Sequence, residues 1–144
     1  MKIDRKALLL APLPFPALCS LLFVATTSGG NPLMGFLILF AIGAAIAYLA
    51  TLGLLLPALA LATRLTAMNA AKAAILGGAL GLILFLPLEW IMWRASGADS
   101  GPPADTFLAH LLRDLGDPVM LIFPIGGITT AALYWALSSR ADGN

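Results

Sequence analysis

The chain has 144 residues, of which 60% are hydrophobic and 10% are charged, and its formal net charge is +1. An ordinary soluble domain carries about 25% charged residues, and a chain this short cannot hide so much apolar surface from water. The weak net charge argues against nucleic acid as a partner, and the single cysteine excludes an internal disulfide or dithiol centre. We therefore expect one all-α integral membrane domain, with four transmembrane helices in a bundle and the lipid bilayer as its surroundings.

The first apolar segment covers residues 7–27 and follows a basic N-terminus. Its prolines Pro12, Pro14 and Pro16 each remove a backbone donor and disfavour helix in the residue before them. Two interpretations stay open: an extended entry that leads into a helix from Pro16, or a helix broken at membrane depth. The length of the run and the lack of an Ala-x-Ala site predict a membrane anchor that is not cleaved as a signal peptide.

The second apolar segment covers residues 33–63. A straight helix of this length would extend about 46 Å, whereas the hydrocarbon core of a bilayer is about 30 Å thick. We therefore expect the helix to tilt strongly or to project into the cytoplasmic interface. Pro57 cannot bond the carbonyl group of Gly53, so it predicts a kink.

The third apolar segment covers residues 70–93, with Asn69 as the expected N-cap. Small residues recur along it at spacings of three and four, and Gly77, Gly78 and Gly81 form the centre of this stripe. Small residues at such spacing let two membrane helices approach closely. The stripe predicts a helix-packing interface, either within the chain or between copies of it.

The fourth apolar segment covers residues 119–139. Asp117 as N-cap and Pro118 as first helical residue are a typical start signal. Pro124 and the pair Gly126–Gly127 are expected to loosen the first half of this helix.

Four spans place both termini on the same side of the membrane. The basic residues on that side are Lys2, Arg5, Lys6, Arg64, Lys72 and Arg140, and those on the other side are Arg94 and Arg113. By the positive-inside rule, this asymmetry predicts that both termini are cytoplasmic in a bacterial-type inner membrane. The loop of residues 94–118 is then external.

Within the external loop, residues 105–115 are predicted to form a short amphipathic helix, with Asp105 as N-cap and Gly116 as terminator. One face is apolar: Phe107, Leu108, Leu111, Leu112 and Leu115. The other side is mostly polar: Thr106, Ala109, His110, Arg113 and Asp114. We expect this helix to lie flat in the outer interface, with packing against the bundle or a partner as the alternative.

Glu89 is the only acid within an apolar span, and an ionisable residue there is a functional hypothesis by default. It is either an interfacial carboxylate that reaches water or pairs with Arg94 or Arg113, or a bundle-facing carboxylate that binds a proton, a cation or a partner. His110, the only histidine, is expected to be solvated or interfacial, and would approach Glu89 only if its helix folded over the outer end of the bundle. One histidine with one acid offers too few ligands for a metal site, so we expect no metal and no cofactor.

Three tryptophans lie near the ends of predicted spans. Trp90 and Trp93 are close to the end of the third segment, and Trp135 is close to the end of the fourth. Indole rings are enriched where membrane meets water. We therefore interpret all three as interfacial anchors.

The chain lacks a phosphate-binding loop, a nucleophile–base pair and a haem-ligating histidine pair. With so few charged residues, we predict that it is not an enzyme. The leading prediction is a small polytopic accessory or interaction protein that binds another membrane or periplasmic protein, or further copies of itself. Immunity-type and complex-subunit roles belong to this class. The alternative is a small oligomeric transporter or channel, coupled to protons or cations through Glu89.

Overall fold

The computed structural model describes residues 4–27, 31–95, 106–114 and 117–141. All regular elements in these ranges are helical, as the composition predicts. The α-helices are α1 (Arg5–Leu10), α2 (Pro14–Thr26), α3 (Pro32–Ala50), α4 (Leu56–Leu65), α5 (Ala70–Ala95), α6 (Phe107–Asp114) and α7 (Ile122–Ala141). The stretches long and apolar enough to cross a membrane are Arg5–Thr26, Pro32–Leu65, Ala70–Ala95 and Ile122–Ser139. The prediction of four candidate spans is therefore confirmed.

The proline-rich first span is a broken helix. The extended entry was the wrong alternative, because Asp4 caps helix α1 by accepting from the backbone N–H groups of Lys6 and Ala7. Across the break, the Leu13 N–H donates to the carbonyl group of Leu10, 3.3 Å away, and not to that of Leu9. The Tyr48 hydroxyl of α3 donates to the freed Leu9 carbonyl at 2.5 Å. A side chain of a neighbouring helix thus satisfies the freed carbonyl group.

The second span changes its winding just before Pro57. Residues Thr51–Leu55 form a π-helical turn, in which the Leu56 N–H donates to the carbonyl group of Thr51. Proline has no N–H for the carbonyl group one turn before it, and an inserted π turn is a common way to absorb such a defect. The expected irregularity is therefore present, and the helix continues to Leu65, two residues beyond the predicted end.

The third and fourth spans begin differently. Asn69 caps α5 as predicted, since its Oδ1 accepts from the Lys72 N–H at 2.9 Å. A 3₁₀ turn, Pro118–Leu121, precedes α7, so the regular helix begins at Ile122, later than predicted. The N–H of Met120 donates to the Asp117 carbonyl group at 3.0 Å, which is the tighter i to i+3 pattern.

The small-residue stripe of α5 packs against α7 inside the chain. A Cβ atom on Gly77 would overlap the carbonyl oxygen of Gly127 and would lie 2.5 Å from the Cβ of Ala131. A Cβ atom on Gly81 would lie 2.8 Å from the carbonyl carbon of Phe123. The two backbones therefore touch directly. The expectation that Gly126–Gly127 loosens α7 was wrong, because α7 is continuous and Gly127 supplies the contact surface.

The buried core lies where α1, α4, α5 and α7 meet. Its members are small or apolar, apart from the tyrosine hydroxyl: Ala7, Ala11, Leu55, Leu59, Ala73, Ala131 and Tyr134. Large Leu, Ile, Phe and Met side chains instead cover the outside of the spans. Exposed apolar surface on this scale is typical of a protein that faces lipid or partner helices.

Candidate functional site: a buried glutamate beneath helix α6

Helix α6 is seated on the end of α5. The ring of Phe107 lies 5.7 Å from that of Trp93, centroid to centroid. The Thr106 hydroxyl accepts from the Ala109 N–H at 3.2 Å and so caps the first turn. The predicted cap Asp105 and terminator Gly116 lie outside the described residues.

Glu89 points into the contact between α5 and α6. Its side chain is only 1% exposed, and its Oε1 lies 2.8 Å from the Nε2 of His110. Of the arginines considered as partners, Arg94 lies over the ring of Trp90, 5.6 Å from the centroid. Arg113 is on the exposed side of α6. The structure thus places Glu89 in the interior, facing α6.

Asp114 joins this pair from the next turn of α6. Its Oδ2 lies 3.3 Å from the same Nε2 of His110. One ligand atom from each of Glu89, His110 and Asp114 fits within 4.8 Å of the other two. The side chains of His110 and Asp114 are 17% and 27% exposed. Sequence reasoning missed Asp114, although its i, i+4 spacing from the only histidine puts both side chains on one edge of a helix.

The orientation of α6 therefore differs from the one predicted. Phe107, His110, Leu111 and Asp114 are half-buried, whereas Leu108 and Leu112 are each 62% exposed. The polar side chains of His110 and Asp114 face the interior, where Glu89 lies, and Leu108 and Leu112 of the apolar face point outward. His110 is thus not fully solvated but lies beside Glu89, the arrangement expected if α6 folds over the end of the bundle.

The cluster of Glu89, His110 and Asp114 concentrates negative charge in an apolar setting. A buried carboxylate is costly unless a counter-charge and hydrogen bonds compensate it. Neither carboxylate oxygen of Glu89 has a hydrogen-bond partner of good geometry among the residues that the structure describes, although Oε1 lies 2.8 Å from Nε2 of His110. Chemically, the arrangement is suited to hold a cation or a proton, or to attach α6 to α5 through the close contact of Glu89 with His110.

A second feature is a cavity of about 360 Å³ between the spans. Apolar side chains of α2, α3, α5 and α7 line most of it, with Ser20, Thr51 and Thr130 as its hydroxyl groups. Two of these hydroxyl groups form hydrogen bonds to the backbone one helical turn earlier: Ser20 donates to the Pro16 carbonyl group at 2.8 Å and Thr51 to that of Ala47 at 2.7 Å. None of the three cluster residues lines this cavity.

The predicted tryptophan anchors occupy three different environments. Trp90 is about half exposed on the outside of α5. Trp93 is partly buried beneath Phe107, so it supports α6. Trp135 packs against the buried core. The assignment as interfacial anchors thus stays a prediction, and two of the three indoles have packing roles in addition.

Comparison of the chain with protein-family models, with curated proteins and with solved structures gives no match. A function has to be argued from the site itself, since a helical bundle alone implies none. The two features that bear on it are the buried cluster under α6 and the exposed leucine edge that this cluster orients.

Proposed function

We propose that the protein is a small polytopic accessory protein of the bacterial inner membrane that binds another membrane or periplasmic protein through helix α6. The observation that carries this proposal is the outward leucine edge of α6, formed by Leu108 and Leu112, on a helix whose other edge is clamped to Glu89. Immunity-type and complex-subunit roles both belong to this class of function.

The geometry of α6 suits recognition. Residues i and i+4 of a helix lie one above the other on a single face, so Leu108 and Leu112 make one continuous apolar strip. Partner proteins commonly accept such strips in a hydrophobic groove. Because His110 and Phe107 already attach the helix to α5, binding would cost little additional conformational entropy.

Membrane insertion and orientation are part of the same proposal. The four apolar spans and their exposed apolar side chains support insertion. The excess of Lys and Arg at the termini and in the turn around Arg64 and Lys72 supports cytoplasmic termini. Helix α6 then lies on the periplasmic side. Alkaline phosphatase fused after residue 100 should be active, and the same enzyme fused after residue 144 should be inactive.

The glycine stripe does not contribute to the partner surface. Gly77 and Gly81 meet the α7 backbone within the chain, so they are unavailable to a second protein. Their replacement is expected to damage the bundle itself, and loss of a partner in such variants would not distinguish docking from folding. The leucine edge of α6 is therefore the place to test docking.

A proton- or cation-coupled transporter is the second candidate. The burial of Glu89 against His110 favours it, because carboxylates with such neighbours occur along ion pathways in membranes. The separation of the cluster from the apolar cavity speaks against a continuous polar route through the described residues. In proteoliposomes, flux that disappears in the Glu89→Gln variant would make this candidate the leading one.

The decisive experiment is purification of the tagged protein from its native host in mild detergent, followed by mass spectrometry and sizing. We expect one stoichiometric partner that the double variant Leu108→Ser/Leu112→Ser loses by more than about tenfold, since each buried leucine contributes about 1.5–3 kcal/mol. The matched control is Leu61→Ser/Leu65→Ser, an exposed i, i+4 leucine pair on α4, at 59% and 73%. Recovery of the wild type without a partner, or equal recovery with both double variants, would contradict the proposal.

A further inference from the structure

We infer that Glu89, His110 and Asp114 form a binding site for one divalent transition-metal ion, with Zn²⁺ as the best-suited species, and that the ion fastens α6 to the end of α5. The ligands come from two helices: Glu89 from α5, and His110 with Asp114 from α6. A metal bound between them would couple its own binding energy to the position of α6.

The donor set fits zinc. Zn²⁺ binds imidazole nitrogen and carboxylate oxygen, and sites with three protein ligands and one water molecule are common. Cations such as Mg²⁺ and Ca²⁺ prefer oxygen ligands alone, and softer ions prefer thiolates. The only thiol of the chain, Cys19, lines the separate cavity between the spans. One nitrogen and two oxygens therefore select a zinc-like ion.

The spacing of the donor atoms also fits. With metal–ligand bonds of about 2.0–2.1 Å, tetrahedral ligands lie about 3.3 Å apart. The distance from His110 Nε2 to Asp114 Oδ2 is 3.3 Å, and that from Nε2 to Glu89 Oε1 is 2.8 Å. The second distance would have to widen by about half an ångström to reach the tetrahedral spacing. The oxygens of Glu89 and Asp114, which lie within 4.8 Å of each other, would have to adopt the same spacing.

Charge gives a second, independent reason. Two carboxylates and a neutral imidazole balance a dication. The side chain of Glu89 is 1% exposed, and neither of its carboxylate oxygens has a hydrogen-bond partner in the described part of the chain. An oxygen buried in this way costs free energy that metal coordination would recover.

Two of the three ligands are accessible from outside. The side chains of His110 and Asp114 are 17% and 27% exposed. A hydrated ion can therefore reach these two side chains. This inference goes beyond the docking function and does not depend on it, because none of the ligands belongs to the leucine edge.

The test is a metal titration of the full chain, purified in detergent with a histidine-free tag and stripped with a chelator. Zn²⁺ is added in competition with a fluorescent zinc indicator. We expect one Zn²⁺ per chain. His110→Ala and Asp114→Asn should each weaken binding by more than about 100-fold, because loss of a group that merely supports a ligand already costs about 10–100-fold. Asp117→Asn, the next exposed carboxylate along the chain, is the matched control and should bind as the wild type does.

Three further variants separate the possible outcomes. Asp114→His replaces one ligand by another and should retain binding, whereas Glu89→Gln should lose it. Leu108→Ser/Leu112→Ser should bind Zn²⁺ normally, so failure of the docking proposal and failure of the metal site are distinguishable. Wild-type protein that binds no Zn²⁺ stoichiometrically would overturn the inference. Equal affinity for Zn²⁺ in the wild type, His110→Ala and Asp114→Asn would overturn it as well. We expect both variants to fold, because both side chains are partly exposed.

Discussion

The two helix pairs of the molecule are packed in opposite ways. In the pair α5 and α7, backbone meets backbone, because Gly77 and Gly127 have no side chains to hold the helices apart. In the pair α2 and α3 the backbones lie farther apart: a Cβ atom on Gly43 would lie 3.2 Å from the Cβ of Pro16 and 3.9 Å from its backbone Cα. In lipid, where apolar burial gives little driving force, close packing of this first kind is the main source of helix association.

The unequal packing also explains where empty space lies. The cavity of about 360 Å³ lies between the two pairs, with wall residues from both. Helix α6 is attached to the tightly packed pair, through α5. The cluster of Glu89, His110 and Asp114 therefore rests on the more rigid part of the molecule, which suits a site that must hold a fixed geometry.

The largest effect is expected from filling the tight contact. Gly77→Leu places a side chain where the carbonyl group of Gly127 now lies, and neither backbone can move without separating α5 from α7. We expect a loss of more than about 3 kcal/mol in the free energy of unfolding, at the upper end for overpacked sites. Thermal and denaturant unfolding in detergent micelles measure it.

Gly53→Ala is the control for this variant. No atom lies within 4 Å of a Cβ atom built on Gly53, so the added methyl group meets open space. Stability should be unchanged or higher by up to about 1 kcal/mol, since alanine is the better helix former. Equal melting temperatures for Gly77→Leu and Gly53→Ala would mean that α5 and α7 are not in contact.

An intermediate, local effect is expected at the cluster. Glu89→Ala removes the carboxylate whose Oε1 lies 2.8 Å from Nε2 of His110 and leaves α6 without this polar contact. A polar contact to a charged group contributes about 1.5–3 kcal/mol, so amide hydrogen exchange within α6 should accelerate by about 10- to 150-fold. Exchange in the centre of α7 serves as the internal reference and should not change. Unchanged protection of α6 would show that Glu89 does not hold it.

The smallest effect is expected from filling the loose contact. Ala47→Leu extends a side chain from α3 into the cavity, where space is available. We expect stability to rise by up to about 1 kcal/mol, as for other cavity-filling changes. Ala73→Leu is the matched variant in the tight region, where Ala73 is fully buried, and it should instead destabilise by about 1–3 kcal/mol. Equal changes of stability in Ala47→Leu and Ala73→Leu would contradict the difference in packing between the pair α2 and α3 and the pair α5 and α7.

Local sequence signals predicted the local features. The four candidate spans, the Asn69 cap, the irregularity before Pro57 and the close-packing stripe all depend on residues near one another in the chain. The partner of the stripe was not predictable, because a small-residue pattern does not identify the helix that it meets. The bond from Tyr48 to the Leu9 carbonyl group was also missed, since it joins residues of separate helices.

The orientation of α6 could not be read from its own residues. Periodicity assigns polar side chains to water, and by that rule His110 and Asp114 face outward. A single buried carboxylate on another helix reverses this preference, because it offers His110 a stronger interaction than water does in an apolar setting. The available clue was that Glu89 is the only acid of a span and His110 the only histidine of the chain. This clue predicts their contact only once α6 is known to fold over α5.

The most direct test of the outward leucine edge is site-specific photocrosslinking in native membranes. A photoreactive phenylalanine analogue is placed at Leu112, which faces outward, or at Phe107, which packs on Trp93. We predict that the probe at position 112 yields one protein adduct of defined mass and that the probe at position 107 yields none beyond its own chain. Adducts of the same protein from both positions, or protein adducts from neither, would contradict the account in which Glu89 orients α6 for a partner.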